Sequence, residues 1–135
     1  ILGLDCPKNT ILIGMGNLGR AVTMHVNFES KGFRLIGLFD NKEALVGQVV
    51  KNLPIRSCDT LDEFCRENRP DTAILCIPKD ADEKISKQLI SLGIKSFWNF
   101  SHYDLKINHS DVIVENVHLG DSIMTLSYGL NNIRK

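Results

Sequence analysis

The chain has 135 residues, 43% of them hydrophobic, and its sixteen basic residues balance sixteen acidic ones. That size supports one domain with a real core, and the lack of a positive excess excludes a surface that follows a phosphate backbone by itself. Cys6, Cys58, Cys65 and Cys76 form no C-x-x-C pair and lie at no zinc-finger spacing with the histidines, which points to a reducing cytoplasm.

No apolar run approaches the roughly 20 residues that span a bilayer, so no membrane partner is expected. The opening "ILGLDCPKN" has no Met and reads as the tail of a connector, so residues 1–9 are expected to be the remnant of a longer protein.

Apolar runs then alternate with amphipathic ones, the pattern of βαβ units and a parallel sheet. Residues 10–14 (TILIG) predict a buried first strand, and residues 18–30 a helix that Gly32 ends. Residues 33–40 (FRLIGLFD) predict the second strand and 53–56 a weak third. Thr60 and Glu63 form a T-x-x-E capping box that starts a short helix, which Pro70 breaks. Residues 72–78 (TAILCIP) predict a fully apolar strand that Pro78 stops at the ligand-binding edge of the sheet. Ile85, Leu89 and Leu92 make one stripe of a surface helix closing on Gly93. Residues 96–100 and 111–117 predict a fifth and a sixth strand. In a last helix, 121–132, the apolar residues spread over more than one face, which calls for a partner chain to cover them. The fold class is α/β, a Rossmann-type doubly wound and mostly parallel sheet. Residues 10–119 are expected to form this domain, and residues 120–135 a terminal helix set apart from it.

Gly14, Gly16 and Gly19 (G-x-G-x-x-G) lie between the first strand and the first helix, and Asp40 ends the next strand 21 residues after Gly19. Gly14 suits the tight turn, Gly16 leaves room for a pyrophosphate, and Gly19 lets helix and strand approach. The helix amino terminus offers N–H groups and positive dipole to phosphates. Met15, Asn17 and Leu18 complete the cradle. Asp40 would accept from the adenosine ribose hydroxyls and repel a 2′-phosphate, favouring NAD(H) over NADP(H), with Lys42 weakening that choice a little.

A dehydrogenase also needs a proton donor or acceptor and a second-substrate site, and after six strands the chain stops. His25 is expected in the second turn of the first helix, near the loop, with His102 and His118 at the same sheet edge after the fifth and sixth strands. The spacing of His25, His102, His109 and His118 forms no metal-ligand pair. Cys76 and Cys65 are expected to be buried and inert, whereas Cys58, in a loop, and Cys6 leave room for a thiol switch.

"ILIGMGNLGRA", "GFRLIGLFD", "AILCIP", "LGIKSFWNF" and "DVIVENVHL", in that order, resemble the nucleotide-binding domain of the Rex redox-sensing transcriptional repressors, over almost the whole chain. The resemblance implies a regulatory domain without catalysis that binds NADH more tightly than NAD+, the reduced form releasing the protein from operator DNA. It also implies a winged-helix DNA-binding domain before residue 1, and a homodimer in which the C-terminal helix is exchanged. Ile77 and Pro78 would line the cofactor. Asn99, Phe100, Ser101 and His25 would lie at its nicotinamide end, with His118 and Leu119 reaching it from the partner.

The chain departs from the family pattern at that end. His25 stands where many members carry Tyr, His118 where some carry a pairing Asp, and "NFSH" where "NFAP" is common. A positive charge on either imidazole would disfavour cationic NAD+. Two other readings remain open: the cofactor half of an NAD-dependent oxidoreductase, whose substrate domain would follow residue 135, and a CoA-binding domain of the succinyl-CoA synthetase type.

Overall fold

The structure, a computed structural model, describes residues 6–100 and 112–117. The expected helix at 121–132, Ser101, His102, His109, His118 and Leu119 lie outside the described residues.

Seven strands form one sheet in the order β3-β4-β2-β1-β5-β6-β7. They are β1 (Lys8–Ile13), β2 (Phe33–Asp40), β3 (Val49–Val50), β4 (Leu53–Ser57), β5 (Thr72–Leu75), β6 (Ser96–Asn99) and β7 (Ile113–Asn116). Every pairing is parallel except that of β3 with β4. Helix α1 (Asn17–His25) packs on one face, while α2 (Leu61–Asn68) and α3 (Lys79–Ser91) pack on the other.

The alternation along the strands separates the two cores. On β1, Ile11 and Ile13 point into the cluster of Leu61, Phe64, Ile85 and Leu89, and Leu12 into that of Val22, Leu38, Ile55 and Ile74. Such side chains, sealed from water, each contribute about 1.5–3 kcal/mol of transfer free energy. A chain buried on both sheet faces reads as the continuous apolar runs seen in β1 and β5.

Three local differences from the sequence reading have physical causes. First, α1 ends at His25, because Val26 is extended (φ −87°, ψ 127°) and a separate 3-10 turn, Glu29–Lys31, follows; Gly32, at φ 86°, closes that turn rather than the helix. Second, the short helix does begin after Thr60, but no capping-box bond forms. Thr60 Oγ1 donates to the Ser57 carbonyl, and a 3-10 turn, Cys58–Thr60, leads into the helix with Ser57 accepting from the Asp59 amide. Third, β3 joins β4 through Lys51 and Asn52, both at positive φ, in a tight hairpin whose residues are unlike the usual glycine-bearing turn.

Candidate functional site

The sheet reverses direction of winding between β1 and β5: β1 leads through α1 to β2 on one side, and β5 leads through α3 to β6 on the other. Open α/β sheets bind ligands at the carboxyl ends of the strands at such a point. Here the Gly14 amide donates to the Phe39 carbonyl (2.8 Å) and the Cys76 amide to that of Ile13 (2.8 Å), drawing the two loops together.

The three glycines have three distinct surroundings. Gly14 is at φ 102°, and a Cβ there would strike the Cys76 carbonyl and meet Ile77 Cγ2 at 2.9 Å. A Cβ on Gly19 would strike the Gly14 carbonyl. Around Gly16 nothing lies within 4 Å of that position. The first and third glycines are thus required by packing, whereas the second opens to the space where a pyrophosphate would lie.

Two helices begin at this edge, and their charge distinguishes them. The first turn of α1 has no acidic residue and its N-cap, Gly16, brings no side-chain acceptor, so its amides face outward uncapped by a side chain. The first turn of α3 carries Asp80 and Asp82, with Pro78 as N-cap. Anions are favoured at a helix amino terminus and repelled by carboxylates there, so of the two ends it is that of α1 that would suit a phosphate.

Asp40 stands at the end of β2, half-buried. Its Oδ2 accepts from the Met15 amide (2.7 Å) and its Oδ1 from the Lys42 amide (2.9 Å). Each carboxylate oxygen has two acceptor positions, so capacity for ribose hydroxyls is left. The same negative charge would oppose a phosphate on a ribose placed there. The Met15 side chain turns inward, fully buried beneath the loop, where the Thr23 hydroxyl approaches its sulfur at 3.8 Å, so only its main chain could serve a cradle. Asn17 is exposed and Leu18 packs partly on the α1-side core.

Ile77 and Pro78 follow β5 beside Gly14, and Phe100 follows β6, its amide donating to the Leu75 carbonyl (2.9 Å). Asn99 is fully buried and its Nδ2 donates to Asn116 Oδ1 (2.9 Å) on β7. Asn116 was not legible as a candidate: only the register of β6 with β7, which pairs Asn99 with Asn116, reveals it. His25 lies elsewhere. It is the last residue of α1, about 12 Å along the helix from Asn17 at 1.5 Å per residue, and lines a cleft with Leu35, Lys51 and Leu53 at the amino edge of the sheet.

The thiols at or near this region are held neutral. Burial pushes Cys76 up to about 12, and burial followed by the charges of Asp40 and Asp59 pushes Cys58 up to about 11. Cys58 is also buried, in the 3-10 turn after β4, which removes it from the exposed loop expected for a switch. Cys65 is buried, as expected, and raised to about 11 by burial and then by Asp62. Among the described residues no group of His, Cys, Asp or Glu converges as a metal site, and no helix is long and apolar enough to cross a membrane.

The family model of the CoA binding domain matches residues 5–103. The chain is 47% identical over 131 residues to the redox-sensing transcriptional repressor Rex of Thermoanaerobacter sp. (strain X514), covering 97% of this chain and 58% of that one. It is 48% identical, with the same coverage, to the Rex of Caldanaerobacter subterraneus subsp. tengcongensis. Among solved structures it matches RSP, a Rex-family repressor, at TM-score 0.85 and 45% identity, both for RSP in complex with NADH and for RSP in complex with NAD+ and operator DNA. These cover 98% of this chain, and 61–64% of RSP. An aspartate semialdehyde dehydrogenase from Vibrio cholerae, 11% identical at TM-score 0.62, shares the fold alone. The relatives are thus named as regulators rather than enzymes, and the chain spans less than two thirds of their length. By its glycine loop, its sheet and its match to the family model, the chain belongs to the CoA-binding domain family of Rossmann folds, and along 97% of its length it is a homologue of the Rex repressors.

Proposed function

We propose that this chain is the NAD(H)-sensing domain of a redox-responsive transcriptional repressor, in which NADH binding releases a dimer from operator DNA. The observation that carries the reading is the glycine loop: Gly14 and Gly19 closed by packing, Gly16 open, and Asp40 bonded to the Met15 amide beside it. Gly14, Gly16, Asn17, Leu18, Gly19 and the Met15 main chain hold the pyrophosphate, and Asp40 the adenosine ribose. Ile77 and Pro78 line the cofactor, with Asn99, Phe100 and Ser101 toward the nicotinamide. His118 and Leu119 join that end from the other protomer, whereas His25, at the carboxyl end of α1, stands away from it in its own chain. Bound here, the cofactor supplies a nicotinamide that is cationic and planar when oxidised, neutral and puckered when reduced. Asp40 disfavours CoA, whose ribose carries a phosphate, as it disfavours NADP(H).

Residues 120–135 are the dimerisation helix. The α1 face of the sheet leaves a trough of about 380 Å³ lined by Val26, Phe28, Phe33, Ile74, Trp98 and Ile113. The exchanged helix, apolar on several sides, supplies what such a trough needs. Residues 1–9 lead from a winged-helix domain that carries the operator contacts, and the protein acts in the cytoplasm.

Calorimetric titration of the chain with NADH, NAD+ and CoA tests the reading. A preference for NADH that excess CoA does not displace supports it. Binding of CoA in place of NADH, or of neither dinucleotide, overturns it.

A further inference from the structure

The register sets Ile13, Leu75, Asn99 and Asn116 at one level across β1, β5, β6 and β7, each the last residue of its strand. The glycine loop leaves from the first of them, and Asp40 lies on the other side of β1, at the end of β2. A dinucleotide with its adenosine at Asp40 therefore runs its second half over the ends of β5, β6 and β7. There the sheet brings two amides together. Asn99 is fully buried and its Nδ2 donates to Asn116 Oδ1 (2.9 Å), while the Val117 amide donates to the Asn99 carbonyl (2.8 Å) and pins the chain just beyond Asn116. With Oδ1 engaged by Asn99, the planar amide of Asn116 turns its Nδ2 hydrogens away from Asn99. Asn116 is half-buried, so those donors are within reach of a ligand at the carboxyl edge.

We infer that Asn116 is a specificity-determining residue of the cofactor site, whose Nδ2 donates to the carboxamide oxygen of the nicotinamide and favours the reduced ring. The inference rests on the NAD(H) reading above. The carboxamide is present in both redox states, but its oxygen is not the same acceptor in both. In the reduced ring the nitrogen lone pair is conjugated through a carbon–carbon double bond with the carboxamide and enriches its oxygen in negative charge. The cationic oxidised ring withdraws charge from it. Hydrogen bonds strengthen as the acceptor gains negative charge, so a neutral donor held at this point contributes more to the binding of NADH than to that of NAD+. Selection is that difference. Asn99 holds the other end of the amide, so the donor is in place before the cofactor arrives.

The test is calorimetry on the full-length protein, as wild type, Asn116→Leu and Asn116→Asp, with NADH, NAD+ and ADP-ribose, which lacks the nicotinamide. Asn116→Leu removes the donor. Its affinity for NADH falls about three- to tenfold, the net worth of one hydrogen bond, that for NAD+ falls less, and that for ADP-ribose is unchanged. Asn116→Asp still accepts from Asn99 but offers no donor and sets a negative charge beside the ring, so the preference moves toward NAD+, again with ADP-ribose unchanged. Should Asn116→Leu fail to fold, Asn116→Asp, which keeps the bond to Asn99, decides alone. A ratio of NADH to NAD+ affinity equal to that of wild type in either folded variant, or a loss shared equally by ADP-ribose, overturns the inference and leaves the NAD(H) reading standing. No binding of either dinucleotide by wild type overturns both.

Discussion

The Met15 amide donates to Asp40 Oδ2 across 2.7 Å, joining the second residue of the glycine loop to the last residue of β2. The carboxylate therefore shapes the loop, beside the ribose role proposed for it. Asp40→Ala leaves a partly buried amide without its acceptor, at a cost of about 1–3 kcal/mol. The expected outcome is a lower urea midpoint together with a loss of NADH affinity of about tenfold or more. Asp40→Asn, whose carbonyl can still accept from Met15, recovers most of the stability but not the affinity. Equal stability of the two variants would show that the Met15 bond contributes nothing.

The glycines separate packing from binding. Gly16→Ala adds a methyl group to open space at an unstrained backbone (φ −71°), so it folds with a loss below about 1 kcal/mol and binds NADH poorly. Gly19→Ala drives its methyl into the Gly14 carbonyl and is expected to cost about 3 kcal/mol or more, or to prevent folding. Thermal melts and calorimetry on the pair check the division.

Three thiols make stability depend on alkaline pH. Cys58 and Cys65 are raised from the ordinary 9.0 to about 11, and Cys76 to about 12. Below pH 9 both folded and unfolded chains hold these protons and the contribution is fully present. Between pH 9 and 11 the unfolded chain releases them first, so it binds fewer protons and stability falls as pH rises. Urea midpoints at pH 7, 8.5 and 10 should be level between the first two and lower at the third, with a shallower drop in Cys76→Ala. A thiol reagent at pH 8 should modify exposed Cys6 first and the buried Cys58 and Cys65 only on unfolding.

Ile113, 74% exposed on β7 at the rim of the trough, and Val49, 65% exposed on β3 at the far edge, are both apolar and uncovered within one chain. If the trough is the dimer face, Ile113→Glu yields monomers in sedimentation while Val49→Glu remains a dimer. Identical behaviour of the two variants would move the interface elsewhere.

How much the sequence revealed depended on the range of the interaction. Strand β2 occupies residues 33–40 as its apolar run predicted, and the glycine loop was readable because its spacing encodes a local turn. Thr60 marked a helix start correctly, but its hydroxyl found a nearer acceptor in the Ser57 carbonyl, and no sequence rule ranks two such partners. The position of His25 depends on where α1 ends, which Val26 decides by a single extended residue. Asn116 needed the pairing of β6 with β7, a contact between segments 17 residues apart.

Strand β3 is only two residues long, and a positive-φ hairpin folds it back on β4. So brief an outer strand offers an incoming chain too few free main-chain groups to extend the ladder, the device by which many sheets are protected from edge-to-edge stacking. The flank beyond β4 is therefore a terminus of growth. The shortest strand thus gives the sheet one flank closed to strand addition, a polarity that its balanced charge does not provide.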